Sequence, residues 1–294
     1  MVAQAAKALL RAEKPLIWAG AGVLSSGATV ELQELAELIA TPVFTTMPGK
    51  SAIDENHPLA LGAGVGTTTL PAYRWLNESD VMLALGSSLT RTPYGQHLQG
   101  PRKGKFKIHN TVNPDDVNSE EYANIALIGD TRLCIIALIE EIRAQTGGAG
   151  KNGNMKIVTA EVAKLKGIWL KEWEPVLQSD EEPISYYRVI HGTSATSAST
   201  RYATVRFLSV IFICGAEMNQ HLDLPNSIVT HDAGAPRDCM VPFYKATIPH
   251  SYIGWGKTTH LGFGIPLMIG AKMAAPDKFC CASLHSLQLL SDRP

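Results

Sequence analysis

Leu16-Ile-Trp-Ala19 is an apolar run of strand length, followed by Gly20-Ala-Gly22 and then by a helical pattern over residues 28–40. Leu32, Leu35, Ala36 and Ile39 share one face of that helix, Glu31, Glu34 and Glu37 turn to water, and Pro42-Val-Phe44 resumes as strand. Two strands joined by a crossover helix run parallel, so the segment reads as a β-α-β unit. The pattern repeats. Thr69 caps a short helix with Pro71 near its start, and strands follow at residues 81–85, 106–112 and 124–128. Asp130 then caps a helix whose Leu133, Ile135, Ile136, Ile139 and Ile142 are expected to face the core. Alternation of this kind predicts an α/β domain with a doubly wound, Rossmann-like parallel sheet covered on both faces.

With 294 residues, 45% of them hydrophobic, the chain can bury a sizeable core and has room for about two domains. A net charge of −1 without a run of five like charges leaves no footprint for nucleic acid or an anionic membrane, and neither is expected as a partner. The five cysteines are scattered without Cys-x-x-Cys spacing, which points to a reducing, cytoplasmic setting. Residues 1–14 are an alanine-rich helical pattern ended by Pro15, without a signal-peptide core. The longest apolar run, residues 207–216, is far short of the ~20 residues of a membrane helix.

Residues 145–153 are glycine-rich and mark the best domain boundary. Val158, Val162, Leu165, Trp169 and Trp173 then recur at helical spacing up to Pro175, on a helix expected to pack as core and to brace the two domains. The expected layout is a first domain over 1–144, a linker and bracing helix over 145–183, and an incomplete second α/β domain over 184–278. Within it, 192–223 is atypical, being low in complexity and then rich in strand formers without a period. Residues 279–294 form a divergent tail. Ser227-Ile-Val-Thr-His231 reads as a buried strand that runs into Asp232-Ala-Gly234, and open α/β sheets bind ligands at such strand ends. Farther on, residues 252–278 join a glycine-rich turn to a helix of small residues. Gly262 and Gly264 let a bound group approach the backbone, Pro266 suits a first helical turn, and free N–H groups there attract anions such as phosphates.

Several groups have plainer readings. Gly20-Ala-Gly22 lacks a third glycine at dinucleotide-site spacing, the next being Gly27, and no carboxylate follows a second strand, so it reads mostly as a tight turn. His57, His109 and His250 read as structural, and Asp115-Asp116 as a solvated turn. His231-Asp232 is the one histidine–carboxylate pair near the expected cleft, where it can be structural or touch a ligand.

Longer stretches resemble the thiamine diphosphate-dependent enzymes of the acetolactate synthase and benzoylformate decarboxylase group. The carriers are residues 8–23, 46–54 with His57-Pro58, 78–86 and Gly129-Asp130, which resemble that family's central domain, and 228–278, which resembles the opening of its diphosphate-binding domain. The resemblance implies thiamine diphosphate with Mg2+, a small-molecule 2-keto acid substrate, and a homo-oligomer with active sites between subunits. It implies that Gly234 and Ala235 meet the diphosphate through backbone N–H groups. Leu261 resembles the apolar wedge that holds the cofactor bent, with Asp232, Lys257, His260 and Gly262 beside it. Some relatives bind FAD in the central domain, but Ser87-Ser-Leu-Thr-Arg-Thr-Pro93 departs from the arginine-bearing pattern, so FAD is not expected.

The chain also departs from the family. The resemblance places the catalytic glutamate in a domain that the sequence is expected to lack, and residues 283–290 hold no aspartate where the metal-binding Gly-Asp-Gly run is expected, so no residue is assigned to catalysis or metal. Residues 192–223 read as retained non-coding sequence and the end of the chain as a frame change. The second domain is expected to be loose and the first able to fold alone. The expectation is a fragment of a carboligase or decarboxylase, inactive as written. The alternatives are a non-catalytic binding or assembly module that pairs with full-length relatives, and a gene-model artefact.

Overall fold

A computed structural model describes residues 1–64, 68–90, 104–179, 181, 187–188, 219, 222–254 and 261–284. The chain divides into two compact units, Met1–Trp169 and Leu170–Pro294.

In the first unit six strands form one sheet: β1 (Pro15–Ala19), β2 (Val43–Thr45), β3 (Ala60–Ala63), β4 (Val81–Leu85), β5 (Phe106–Thr111) and β6 (Ile125–Ile128). Their order is β3-β2-β1-β4-β5-β6 and every pairing is parallel, the doubly wound arrangement expected. Alternate residues divide between two cores, as the two-residue period of a strand requires. Ile17, Val43, Leu83, Leu85, Ile108 and Leu127 pack with α1 (Val2–Arg11), α3 (Thr29–Leu38) and α5 (Thr131–Thr146). Leu16, Trp18, Phe44, Met82 and Ala84 pack on the other face with Ala72 and Trp75 of α4 (Leu70–Glu78) and Val162 of α6 (Met155–Leu177). Trp18 and Phe44 meet edge to face at 4.8 Å, and Trp75 donates its indole N–H to the Pro15 carbonyl at 3.0 Å.

The predicted caps form. Thr69 Oγ1 accepts from the Ala72 N–H, and Asp130 Oδ1 from the Leu133 N–H at 3.0 Å. Burial on α5 differs from the expectation: Ile136 is only partly buried and Leu138 takes the place of Leu133. Leu133 is 67% exposed, whereas Leu138 is fully buried, because 135, 138, 139 and 142 follow the i, i+3, i+4, i+7 face and 133 lies two residues, or about 200°, away from it. The strand β3 has no counterpart in the sequence reading, since Ala60-Leu-Gly-Ala63 is too short and too poor in β-branched residues to stand out. Helix α6 continues two residues past Pro175, which was expected to close it.

Gly20-Ala-Gly22 is less a turn than the entry to the short helix α2 (Ala21–Ser25). Its backbone is tied to the end of β4, with the Gly20 N–H on the Leu85 carbonyl and the Gly22 N–H on the Gly86 carbonyl, both at 2.8 Å. A Cβ on Gly20 would fall 2.3 Å from the Gly86 oxygen, and one on Gly22 2.6 Å from the Gly86 Cα, so close backbone packing explains both glycines. Asn110 completes this end of the sheet: it accepts from the Gly86 N–H and donates to the Leu127 and Gly129 carbonyls. His109 is bonded through Nε2 to the Ser87 carbonyl at 2.6 Å, and His57 through Nε2 to Glu37 at 3.0 Å.

The glycine-rich segment after α5 is held against the first unit. Gly147 is the left-handed C-cap, the Lys151 N–H bonds the Leu38 carbonyl at 2.8 Å, and its ammonium bonds the Ala12 carbonyl at 2.6 Å. Two buried ion pairs also form within the first unit, Lys50 with Glu55 at 2.5 Å and Lys107 with Glu121 at 2.8 Å.

The second unit has a three-stranded parallel sheet in the order β8-β7-β9, formed by β7 (Ser227–His231), β8 (Tyr252–Ile253) and β9 (Phe279–Ser283). Helices α7 (Ala235–Phe243) and α8 (Gly264–Ala274) follow β7 and β8, and Met268 and Ala271 of α8 pack on Cys280 and Ala282. Trp173 meets the rings of Tyr187 and Phe243 at 5.1 Å each, in keeping with its predicted packing role. Most of residues 192–223 and all of 285–294 lie outside the described residues.

Candidate functional site

The middle strand of the second unit, β7, ends at His231, and the chain reverses through Asp232-Ala-Gly234 into α7. Gly234 has φ 78° and ψ −142°, a combination that a Cβ strongly disfavours. The turn therefore needs glycine. It leaves the Gly234 and Ala235 N–H groups at the N-terminal end of α7 without an acceptor among the described residues, where the helix dipole favours an anion.

Asp232 is fully buried beneath this turn. Its Oδ1 accepts from the Ala233 N–H at 2.8 Å, and its two oxygens accept from the Gly262 N–H at 3.1 and 3.0 Å. Its own N–H donates to the Ser283 carbonyl at 2.8 Å. One residue, through its backbone N–H and its carboxylate, thus joins the ends of β7 and β9 to the turn that opens α8. Gly262 takes φ 87°, and a Cβ on Gly264 would come 2.9 Å from Leu284 Cδ2, so both glycines serve the close fit of that turn. Leu261 is 61% exposed and Phe263 40%, leaving apolar side chains at the head of α8 turned outward.

His231 is also fully buried, its ring 5.7 Å from that of Tyr252 and its Nδ1 3.0 Å from the Asp232 carbonyl. Burial pushes its pKa down to about 4, so the imidazole is neutral at physiological pH.

Asp232, Gly234, Ala235, Leu261 and Gly262 thus gather around one strand end, while Lys257 and His260 lie outside the described residues. The partners that sequence reading missed are backbone groups, namely the Ala233 and Gly262 N–H and the Ser283 carbonyl. Only the carboxylate followed by Ala-Gly at a strand end hinted at them. Among the described residues no three His, Cys, Asp or Glu side chains converge on one position. The turn at Gly234 and the apolar head of α8 do suit a ligand with an anionic group and an apolar body.

A doubly wound parallel domain is thus followed by a second parallel α/β domain with a glycine turn at its middle strand. Residues 2–138 match the central domain of thiamine pyrophosphate enzymes, and residues 232–283 match their C-terminal TPP binding domain. The chain belongs to this family. The second match begins at Asp232 and ends at the last residue of β9, so it contains the whole candidate site. The chain is 30% identical over 276 residues to the probable acetolactate synthase large subunit of Methanococcus aeolicus, covering 94% of this chain and 42% of that protein. It is 30% identical over 279 residues to the probable acetolactate synthase large subunit of Methanocaldococcus jannaschii, with 94% and 42% covered. It is 27% identical over 278 residues to the acetolactate synthase of Mycobacterium bovis, with 94% and 39% covered. The chain therefore spans about two fifths of the length of these curated relatives. Among the described residues no helix is long and apolar enough to cross a membrane.

Proposed function

We propose that this chain carries the central and diphosphate-binding parts of a thiamine diphosphate-dependent carboligase or decarboxylase of 2-keto acids, and that it does not turn over by itself. The observation that carries the cofactor reading is the Gly234 turn, with two backbone donors at a helix N-terminus inside the segment that matches the family's TPP binding domain.

Gly234 and Ala235 receive the diphosphate through their N–H groups. Leu261, apolar and outward at the head of α8, supports the body of the cofactor. Lys257 and His260 adjoin this wedge in sequence and complete the set. Thiamine diphosphate, when bound, supplies the carbon nucleophile for 2-keto acid chemistry, and the protein's part is to fix its geometry. No catalytic acid or base of this chain is assigned. Residues 283–290 hold no aspartate for the family's metal motif, and a diphosphate balanced by backbone donors and one or two basic residues is held weakly. A homo-oligomer is the expected assembly.

A second reading rests on the first unit, whose six-stranded sheet has helices on both faces: a non-catalytic module that assembles with full-length relatives. One experiment separates the two. Pyruvate and benzoylformate are offered to the purified chain with thiamine diphosphate and Mg2+, alone and after mixing with a full-length acetolactate synthase large subunit. The proposal expects saturable cofactor binding and no turnover by the chain alone. Turnover by the chain alone removes the claim of inactivity, and mixed oligomers without cofactor binding favour the assembly module.

A further inference from the structure

Asp232 has a place in this site different from that of a ligand contact. All of the described hydrogen bonds of its carboxylate come from backbone N–H groups of its own chain, those of Ala233 and Gly262, and its side chain is buried. An anionic carboxylate would also repel a diphosphate at contact distance. What it joins is informative: Ala233 precedes Gly234 and Ala235, and Gly262 follows Leu261. The two turns belong to segments thirty residues apart in sequence, as the separation of Asp232 and Gly262 shows. Gly262, at φ 87°, is held through its N–H by both carboxylate oxygens.

We propose that Asp232 is a positioning residue, whose buried carboxylate fixes the Leu261-Gly262 turn against the Gly234-Ala235 turn, so that the apolar support and the diphosphate donors are set at one spacing before the cofactor binds. This rests on the cofactor reading above and deepens it. Hydrogen bonds to an ionised acceptor are roughly twice as strong as neutral ones, so one carboxylate can hold a glycine turn that would otherwise sample many conformations. Ordering the turn in advance removes a cost that binding would otherwise carry. The pyrophosphate part of the ligand needs only the Gly234-Ala235 turn, whereas the whole cofactor needs both turns. Loss of Asp232 should therefore weaken the whole cofactor more than pyrophosphate alone.

The test uses the full 294-residue chain with Asp232→Ala and Asp232→Asn. Hydrogen exchange is followed in the peptide covering residues 261–267, and binding of thiamine diphosphate and of inorganic pyrophosphate is measured by calorimetry. In Asp232→Ala the peptide loses protection while β7 keeps its own, and thiamine diphosphate affinity falls about 10- to 100-fold. Pyrophosphate affinity falls less than about threefold, and Asp232→Asn, which keeps one acceptor oxygen, recovers part of both losses. A general loosening of the unit would lower both affinities alike, and that result overturns the proposal. So does unchanged protection at 261–267. A wild-type chain that binds pyrophosphate but shows no preference for thiamine diphosphate overturns the cofactor reading and this inference together. Wild-type binding with an unaltered affinity ratio in Asp232→Ala overturns this inference alone.

Discussion

Replacing Leu138 by alanine should open the first unit far more often, whereas replacing Leu133 should hardly matter, although both stand on α5 and both are leucines. Leu138 is fully buried among Ile135, Ile139 and Ile142, in the core shared with α1 and α3. Truncation removes its transfer free energy and leaves a cavity that packed neighbours fill only in part, a loss of about 2–5 kcal/mol. Leu133 is 67% exposed, so only about a third of its transfer energy is at stake, roughly 0.5–1 kcal/mol, and the better helix propensity of alanine offsets part of that. The assay is native-state hydrogen exchange at β4, which has neighbours on both sides and reports opening of the whole sheet. At 1.4 kcal/mol per decade, Leu138→Ala raises exchange there by about thirty-fold or more, and Leu133→Ala by about fivefold at most. Equal effects, or a larger effect for Leu133, would refute the assignment of the buried face of α5.

Breaking the buried Lys50–Glu55 pair with Lys50→Met leaves a carboxylate in a dry site and should cost about 3–5 kcal/mol, while the double replacement Lys50→Met/Glu55→Leu recovers much of it in urea unfolding. His231 has a pKa lowered from 6.5 to about 4, so the fold favours the neutral imidazole. Its contribution is complete above pH 6.5 and is lost as pH falls through 4, by about 3 kcal/mol in all, and a His231→Gln chain should lack that part of the slope in acid titration of the second unit's unfolding. Asp130→Ala removes the side-chain cap of α5 and should cost about 1 kcal/mol, seen as a matching drop in the midpoint of urea unfolding.

The sheet of the first unit was legible because its strands β1, β4 and β6 are continuous apolar runs, β5 alternates over Phe106–Thr111, and the capped helices α4 and α5 accompany them in sequence. The short strand β3 was not, since Ala60-Leu-Gly-Ala63 joins the sheet by pairing with β2, a tertiary fact with little local signal. Leu133 was misplaced for a related reason. An isoleucine-rich helix offers several nearly equivalent apolar faces, and the neighbours decide which is buried. Gly20 and Gly22 could be read as glycines that some close approach requires. That the approaching group is the Gly86 backbone is visible only in the fold. At the candidate site the glycine turns and Asp232 were visible in the sequence, but the acceptor role of Asp232 depends on a backbone N–H thirty positions away.

The most direct test of the central claim is calorimetric titration of the 294-residue chain with thiamine diphosphate, using Gly234→Val as the comparison. Valine cannot adopt φ 78° with ψ −142° without strain, so it distorts the donor turn. The account predicts one saturable site in the native chain, weak because the diphosphate lacks a metal, and loss of that site in Gly234→Val. A native chain that binds no thiamine diphosphate, or a Gly234→Val chain that binds it equally well, would contradict the account.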